Sequence, residues 1–249
     1  MASNHNAIIL AAGLGTRLKP LTDSKPKALV ELWGKPLLLR WLLDLKAQGF
    51  DEVAVNIHHF GQQIIDFIKG NPVEGMKVMV SDERDLLLDT GGGIRKAAKL
   101  FSDREAPVMV CNVDILTHID LRKAYERHIN QGNDATLLVS HRQTSRYLAF
   151  DKDSGRLQGW INKKTGLTKP QGFCCQPDRQ QLLAFSGIHT ISPALLEIMD
   201  KTCPEKFSIV DFYLSVCREK TIAADIHGGE EITDLGKLDV LEKLNSTRT

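Results

Sequence analysis

Residues 8–27 constrain this chain most, because an apolar strand there runs straight into a glycine-containing loop. Residues 13–15 are Gly-Leu-Gly, and Arg17 and three lysines follow closely. Glycines let backbone N–H groups approach a ligand, and a concave run of such amides attracts anions. Fixed cations beside such amides favour a polyphosphate ligand. The segment therefore predicts a site for a nucleoside triphosphate.

Two common phosphate-binding motifs do not match this segment. The pattern GxxxxGK[ST] is absent, so it is not a P-loop. A dinucleotide fingerprint is also excluded, because the third glycine is missing and Pro20 interrupts the helix that should follow. From the residues alone, a solvated basic loop after a strand stays an alternative.

Composition excludes several classes of protein. A chain of 249 residues can form one large α/β domain or two small ones. A net charge of +1 gives no general basic field for nucleic acid, and no apolar run approaches the roughly 20 residues that span a bilayer. The polar start is unlike a signal peptide. The five cysteines are odd in number and form no CxxC motif, so neither a disulfide framework nor a zinc site is indicated. Cys174 and Cys175 are expected to be unpaired surface thiols, and a reducing cytoplasm fits this pattern.

Apolar runs alternate with helical patterns along the first 140 residues. The apolar runs predict strands at 7–12, 52–57, 77–80, 108–112 and 135–140. The helical patterns predict helices at 36–49, 61–69, 92–100 and 121–130, with Pro36 at the first helical position. Because continuous apolar runs are typical of strands buried on both faces, we expect a mostly parallel sheet covered by helices.

The pattern changes after residue 140. Strands are predicted at 147–150, 157–161 and 182–190, separated by polar turns. Helices are predicted at 193–200, 208–218 and 237–244. We expect a single domain over 1–249, in which 1–140 binds the nucleotide while 141–249 binds the second substrate and completes the metal site.

Two segments, LAAGLGTRLKPLT at 10–22 and KPKALV at 25–30, resemble the signature of the sugar-1-phosphate nucleotidyltransferases. Further similar pieces lie at 56–64, 89–94, 185–193 and 233–237, so the resemblance spans nearly the whole chain. Within that superfamily the chain is most similar to the N-acetylmuramate-1-phosphate uridylyltransferases and their hexose- and heptose-phosphate relatives. The resemblance implies a Rossmann-like, three-layer α/β/α fold of the glycosyltransferase-A type with a mostly parallel central sheet.

The resemblance implies transfer of a nucleoside monophosphate from a nucleoside triphosphate to a sugar 1-phosphate, with release of pyrophosphate. The nucleophile is already an anion, so catalysis consists of positioning and neutralising charge. Arg17 is the expected cation for the triphosphate, and Lys27 is expected at the α-phosphate or the sugar phosphate. By resemblance, Asp114 and Asp234 bind Mg²⁺. On its own, a strand-end aspartate equally suits a helix cap, the role expected of Asp120.

The resemblance also implies two sets of binding residues. The nucleotide-binding set is Leu10, Ala11, Ala12, Gly13, Gly15, Thr16, Arg17, Thr90, Gly91 and Gly92. The sugar-binding set is Asn112, Ser186 and Gly187. The glycines at 91–93 are expected to leave backbone amides free for the nucleobase and to leave room for a purine, or else to form a flexible turn before a helix.

The chain departs from the family pattern at three places. Val113 replaces the usual glycine before the first metal-binding aspartate, which adds bulk beside the sugar and metal. Ile232 replaces an aromatic residue that often starts the second aspartate motif. No Glu-Lys-Pro segment of the kind that contacts sugar phosphate in distant relatives occurs, and Lys163 or Lys164 is the expected substitute.

These patterns favour UTP as the nucleotide and leave several alternatives open. A guanylyltransferase for mannose- or heptose-1-phosphate is one, and cytidylyl transfer is another. A catalytically silent sugar-nucleotide-binding regulatory protein on the same fold is a third. We expect a cytoplasmic protein without nucleic-acid or membrane partners, and the sequence leaves formation of a homo-oligomer open.

Overall fold

The computed structural model describes residues 5–228 and 231–247, so the first four residues of the polar start lie outside the described residues. In chain order the strands are β1 (Asn6–Leu10), β2 (Glu31–Leu32), β3 (Lys35–Pro36), β4 (Glu52–Ile57), β5 (Lys77–Asp82), β6 (Val108–Asn112), β7 (Ile115–Thr117), β8 (Ala135–Ser140), β9 (Arg146–Asp151), β10 (Leu157–Asn162), β11 (Thr168–Lys169), β12 (Gln180–Ile191), β13 (Ile222–Ile226) and β14 (Ile232–Asp234). The helices are α1 (Leu37–Ala47), α2 (Gly61–Gly70), α3 (Asp89–Ala98), α4 (Leu121–Gln131), α5 (Pro193–Thr202), α6 (Ile209–Val216) and α7 (Leu238–Ser246), with 3-10 turns at Thr16–Leu18 and Lys27–Leu29.

The main sheet has a parallel part and an antiparallel part. β1 lies between β4 and β6, and Ile8 pairs in parallel register with Ala54 on one side and Val110 on the other. β5 continues this parallel order beyond β4. On the other side of β6, β12 runs antiparallel and leads to β9, β10 and β11, while β8 joins β12 to a parallel β13. The parallel order predicted for the first half is confirmed for β1, β4, β5 and β6. β8, also in that half, instead pairs antiparallel with β12 and parallel with β13.

Helices cover both faces of this sheet, which confirms three layers. Side chains of β1 alternate between the faces because successive residues of a strand point to opposite sides. Ala7 and Ile9 belong to the apolar core shared with α1, α2, α4 and α7. Ile8 belongs to the second core, which is shared with α3, α5 and α6.

Most predicted elements occur within two or three residues of their expected bounds, but two helix starts differ. α3 begins at Asp89 instead of residue 92, so the glycines at 91–93 are helical. Pro36 is not the first helical residue: it has extended backbone (ψ 142°), belongs to β3 and immediately precedes α1. The strands β2, β3, β7, β11, β13 and β14 were not predicted, because runs of two to five residues give little periodicity. None of the helices in the described part of the chain has the length and apolar character needed to cross a bilayer.

Candidate active site

The start of the loop after β1 is fixed by hydrogen bonds to the side chain of a buried asparagine, Asn56. Ala11 N and Ala12 N both donate to Asn56 Oδ1, at 2.6 and 3.2 Å. Asn56 Nδ2 in turn donates to Glu83 Oε1 at 2.8 Å. The amides of Ala11 and Ala12, at the start of the predicted nucleotide loop, are therefore bound by the chain itself.

Glu83 fixes the orientation of Asn56. Its side chain is buried, and burial raises the pKa of its carboxyl. Leu88 N donates to Glu83 Oε2 at 3.2 Å, and a Cβ on Gly93 would lie 2.8 Å from Asn56 Nδ2. Gly93 thus leaves space for this network. Sequence analysis missed it, although Asn56 lies in a segment that resembles the family.

The two loop glycines have different roles. A Cβ on Gly13 would meet nothing within 4 Å, so its backbone faces open space. Gly15 has φ +66°, and a Cβ there would lie 2.9 Å from Thr22 Cγ2 and 3.1 Å from Lys27 Cβ. Gly15 therefore allows Lys27 to pack under the loop. The 3-10 turn that begins at Thr16 carries Arg17 on its exposed side.

Asp114 and Asp234 meet through a short antiparallel ribbon of β7 and β14. Asp114 follows β6 and precedes β7, while Asp234 is the last residue of β14 and pairs with Ile115. Leu235 N donates to Asp114 O at 2.8 Å, which fixes the two segments together. The carboxylates predicted from distant parts of the chain are therefore brought to one place.

Arg17, Lys27, Asp114 and Asp234 form what we term the charge cluster. Lys27 Nζ lies 2.5 Å from Asp114 Oδ2, and Lys27 is only 14% exposed. Arg17 Nη2 lies 3.9 Å from Asp114 Oδ2 and Arg17 Nη1 lies 3.8 Å from Asp234 Oδ2. Two cations and two carboxylates thus balance one another, and they surround bare backbone at Gly236, where a Cβ would fall 2.6 Å from Asp114 Oδ2 and 2.7 Å from Arg17 Nη2.

The donor set of the charge cluster suits Mg²⁺. This ion is usually held by one or two carboxylates together with phosphate oxygens of a substrate and water. Among the described residues no group of three or more His, Cys, Asp or Glu side chains could hold a metal by itself. Asp114 and Asp234 therefore suit a metal that shares its ligands with a phosphate. Asp120, in contrast, caps α4 as predicted, accepting from Lys123 N at 2.9 Å.

The two substituted family positions point into the core. Val113 is 1% exposed and Ile232 is 7% exposed, and both belong to the apolar cluster beneath α1. Val113 N also donates to Leu10 O, which ties the ends of β6 and β1 together. The added bulk of Val113 is thus absorbed by the core.

The glycines of α3 do not leave their amides free, and this expectation was wrong. Gly91 N and Gly92 N both donate to Phe207 O, at 2.9 and 3.4 Å. Added Cβ atoms at Gly91 and Gly92 would collide with the Phe207 ring and the Glu205 carbonyl, respectively. These glycines serve close packing between α3 and the segment before α6, so room for a purine does not follow from them.

Two of the three predicted sugar-binding residues, Ser186 and Gly187, lie at a bulge in β12, and the third, Asn112, is the last residue of β6. The register of β12 against β8 shifts between Phe185 and His189, and Gly187 has φ +77°. A Cβ on Gly187 would lie 2.6 Å from Asn112 Nδ2, so Asn112 and Gly187 are neighbours. Ser186 Oγ is buried and bonds His227 Nε2 at 2.6 Å, a partner that sequence analysis missed.

A cavity of about 1010 Å³, the large cavity, lies beside the charge cluster. Its walls include Arg17, Arg142, Thr144, Arg146, Tyr147, Trp160, Asn162, Lys169, Phe185, Asp211, Asp234 and Lys237. Lys163, one expected substitute for the Glu-Lys-Pro lysine, instead lies over the Tyr147 ring at 4.9 Å. Neither Lys163 nor Lys164 lines the cavity, whereas Lys169 on the neighbouring strand does.

The sequence matches the model of the nucleotidyl transferase family over residues 6–159. It is 43% identical over 110 residues to the N-acetylmuramate alpha-1-phosphate uridylyltransferase of Caulobacter vibrioides, covering 43% of this chain and 45% of that protein. It is 32% identical over 161 residues to mannose-1-phosphate guanylyltransferase 1 of Arabidopsis thaliana, covering 63% and 45% of the two chains. The chain spans about half the length of the curated relatives it matches.

Solved structures are similar over nearly the whole chain. The crystal structure of HddC from Yersinia pseudotuberculosis superposes with a TM-score of 0.74 at 25% sequence identity. The superposition covers 98% of this chain and 100% of that chain. The similarity thus includes the antiparallel second half, which lies largely beyond the part matched by the family model.

Proposed function

Since this chain belongs to the nucleotidyl transferase family, we propose that it transfers a nucleoside monophosphate from a nucleoside triphosphate to a sugar 1-phosphate. An oxygen of the sugar phosphate attacks the α-phosphorus, the bond from that phosphorus to the bridging oxygen breaks, and pyrophosphate leaves with the electron pair. The observation that carries the proposal is the charge cluster beside a large cavity. A reaction between two anions requires fixed cations, and carboxylates that can hold a metal ion, beside the cavity where the anions meet.

The residues of the charge cluster divide the work by their chemistry. The guanidinium of Arg17 is exposed and can donate to oxygens of two phosphates at once. Lys27 is mostly buried, so its ammonium is a fixed charge suited to the α-phosphate or the attacking phosphate. Two unit charges 4 Å apart repel by about 4 kcal/mol at an effective dielectric constant near 20, so neutralising them is a substantial part of catalysis.

Mg²⁺ is the proposed cofactor, held by Asp114 and Asp234 with phosphate oxygens. When bound, such an ion supplies positive charge to the triphosphate. Asp114 and Asp234 now pair with Lys27 and Arg17. When the carboxylates bind a metal ion instead, Lys27 and Arg17 need other anionic partners. The arriving phosphates offer those partners, so the two cations can pass from carboxylate to substrate.

Gly13, Gly15 and Thr16 are the proposed phosphate-facing part of the nucleotide loop, after Leu10, Ala11 and Ala12. The open space at Gly13 supports this assignment. Thr90, Gly91 and Gly92 remain proposed neighbours of the base, but through atoms other than the amides that Phe207 O accepts. Asn112 and Gly187, which lie together at the β12 bulge, are proposed to contact the sugar, with Ser186 beside them.

UTP is the proposed nucleotide, on the strength of the 43% identity to an N-acetylmuramate alpha-1-phosphate uridylyltransferase. Guanylyl transfer is the second candidate, because a mannose-1-phosphate guanylyltransferase is also similar. A silent sugar-nucleotide-binding protein is disfavoured by the presence of all four members of the charge cluster. All five cysteines of this chain are free thiols, which supports a cytoplasmic localisation.

Pyrophosphate release tests the proposal. The four nucleoside triphosphates are each combined with a panel of sugar 1-phosphates in the presence of Mg²⁺. We expect release with UTP, at least tenfold faster in kcat/KM than with GTP. A preference for GTP would select the guanylyl alternative, and tight nucleotide binding without any release would select the silent one.

A further inference from the structure

The bulge of β12 is fixed by a histidine from a distant part of the chain. We propose that His227 is a positioning residue for the sugar phosphate: it accepts a hydrogen bond from Ser186 and thereby keeps Gly187 and Asn112 in place for the sugar. The inference rests on the proposed function and adds a residue to it. His227 follows β13 and lies outside the segments that resemble the family.

The first observation is a buried hydrogen bond between the two side chains. Ser186 Oγ lies 2.6 Å from His227 Nε2. Ser186 is 2% exposed and the His227 side chain is 6% exposed, so water has little access to the pair. Neither atom has another partner among the described residues. Loss of one partner therefore leaves the other as an unpaired polar atom, which costs more than loss of an exposed bond.

The second observation is the direction of this bond. His227 Nδ1 lies 2.6 Å from Gly228 O, and a carbonyl oxygen can only accept. Nδ1 of the neutral ring therefore carries the hydrogen, Nε2 is the acceptor, and the Ser186 hydroxyl donates. Glu231, just before β14, also lies beside the ring: its Oε2 is 4.0 Å from Nδ1 and accepts from Gly228 N at 2.8 Å. The backbone on both sides of the ring thus fixes its orientation.

The third observation is the contact between the bulge and Asn112. Gly187 has φ +77°, and a Cβ there would lie 2.6 Å from Asn112 Nδ2. The Asn112 side chain has no hydrogen-bond partner in the described part of the chain, so its amide is available to a ligand. Arg142 Nη2 donates to Phe185 O at 3.0 Å, which fixes the residue before Ser186. The hydroxyl of Ser186 supplies the next fixed point, directly before Gly187.

These contacts divide the predicted sugar-binding residues by role. The hydroxyl of Ser186 is buried and bonded to His227, so it supports the bulge. Gly187 and Asn112 lie against each other and contact the sugar. Loss of the Ser186–His227 bond should therefore weaken binding of the sugar phosphate and leave the charge cluster, where the reaction occurs, in place.

Steady-state kinetics with the nucleotide and sugar 1-phosphate that this chain uses best test the inference. His227→Ala should raise KM for the sugar phosphate about tenfold or more, as loss of a buried hydrogen bond does. We expect kcat within threefold and KM for the nucleotide within twofold of wild type. A general loss of structure would instead change all three values. His141→Ala, which removes an exposed histidine that does not line the large cavity, should change none of them.

Two conservative variants separate the hydrogen bond from the presence of a side chain. His227→Gln places an amide oxygen near the position of Nε2 and should restore KM for the sugar phosphate to within threefold of wild type. His227→Asn is one methylene shorter, does not reach Ser186 and should resemble the alanine variant. Thermal unfolding of each variant checks that the fold is retained, and the Gln–Asn pair carries the test if the alanine variant does not fold.

A double-mutant cycle distinguishes support of the bulge from direct contact with the sugar. Ser186→Ala alone should raise KM for the sugar phosphate as much as His227→Ala does, and the double variant should show no further increase. If Ser186 contacted the sugar itself, its removal would raise KM again in the absence of His227.

Three results would each overturn the inference and leave the proposed function intact. They are an unchanged KM for the sugar phosphate in a folded His227→Ala variant, equal KM values in the glutamine and asparagine variants, and effects that multiply in the double variant. Absence of pyrophosphate release by the wild-type protein with every nucleotide and acceptor would instead count against the proposed function.

Discussion

The charge cluster and the large cavity balance their charges in different ways. In the cluster every cation already has a carboxylate partner, and Lys27 and Asp114 are both largely shielded from solvent. Among the described residues that line the cavity, three cations, Arg142, Arg146 and Lys237, have no such partner. A site that carries its own counter-charges can exchange them for substrate charges without leaving a buried ion unpaired. The unpaired cations of the cavity can instead pair with negative charge on a substrate. We therefore infer that the cluster serves the reaction and that the cavity serves selection of the substrate.

Removing a carboxylate from the charge cluster should have the largest effect on turnover. Asp114→Asn and Asp234→Asn should each lower kcat about 100- to 1000-fold, as loss of a preorganised charge stabiliser does in other enzymes. Pyrophosphate release measures the effect. Asp239→Asn, on the exposed first turn of α7, is the matched control and should be close to wild type.

Arginine variants in the large cavity bear on the same comparison. If Arg146→Gln lowered kcat for every acceptor as strongly as Asp234→Asn does, the division between a reacting cluster and a selecting cavity would be wrong.

Acid should weaken the fold through two buried histidines, His128 on α4 and His189 on β12. Burial lowers the pKa of His128 to about 4 and that of His189 to about 3, from an ordinary value near 6.5. The unfolded chain therefore binds more protons below pH 6.5, so the free energy of unfolding falls as the pH is lowered from 7 to 5. The loss should be on the order of 3 kcal/mol.

Urea unfolding at pH 7 and pH 5 measures this loss, and His189→Phe provides the comparison. Neither ring nitrogen of His189 has a hydrogen-bond partner among the described residues, and its ring lies against Phe185 and Tyr213. A phenyl ring should fill the same space and make stability less sensitive to pH. Unchanged sensitivity in the variant would show that His189 is not responsible.

The loop that carries Arg17 into the charge cluster should depend on Asn56 for its conformation. Asn56→Ala leaves the amides of Ala11 and Ala12 without their acceptor, and the free energy of unfolding should fall by about 1–3 kcal/mol. Asn71→Ala is the matched control, because that asparagine is exposed and, among the described residues, its side chain bonds only Phe67 O. Equal losses in the two variants would mean that the loop is held by other contacts.

A side chain at Gly236 should disturb the cluster with the smallest of these effects. A Cβ there would lie within 3 Å of Asp114 Oδ2, Arg17 Nη2 and Asp234 Oδ1, so Gly236→Ala must displace flexible side-chain ends. We expect kcat to fall roughly tenfold, or about 1.4 kcal/mol, with KM for the sugar phosphate little changed. Gly70→Ala, where a Cβ meets nothing within 4 Å, controls for the substitution itself.

The two regions also differ in how far the sequence predicts them. Arg17 and Lys27 lie in one contiguous motif, so local spacing was enough to indicate a phosphate site. The meeting of Asp114 with Asp234 depends on β7 and β14, which are three residues each and were not predicted. For that pair only the resemblance to a family supplied the link.

The large cavity could not be predicted, because its cations come from separate strands whose pairing the sequence does not state. Lys169 on β11 lines it while Lys163, six residues earlier, does not. At the glycines 91–93, too, packing with distant residues decides the conformation. A run of glycines suggests a loop by propensity, but close packing against Phe207 and Glu205 keeps it helical.

One strand, β12, joins the parallel and antiparallel parts of the sheet. It therefore limits where a chimaera of this chain and a relative can be divided. β12 is twelve residues long, and it pairs with β9 near Gln180 and with β6 near Ile191. Dividing the chain at residue 140 would strip β6 of its neighbour and leave an open edge on the parallel strands, which invites aggregation. A chimaera with a relative should therefore cross over within β12, between Leu183 and Ile188, where the bulge already breaks the register. It would take the cavity residues up to Lys169 from one parent and those from Ser208 onward from the other.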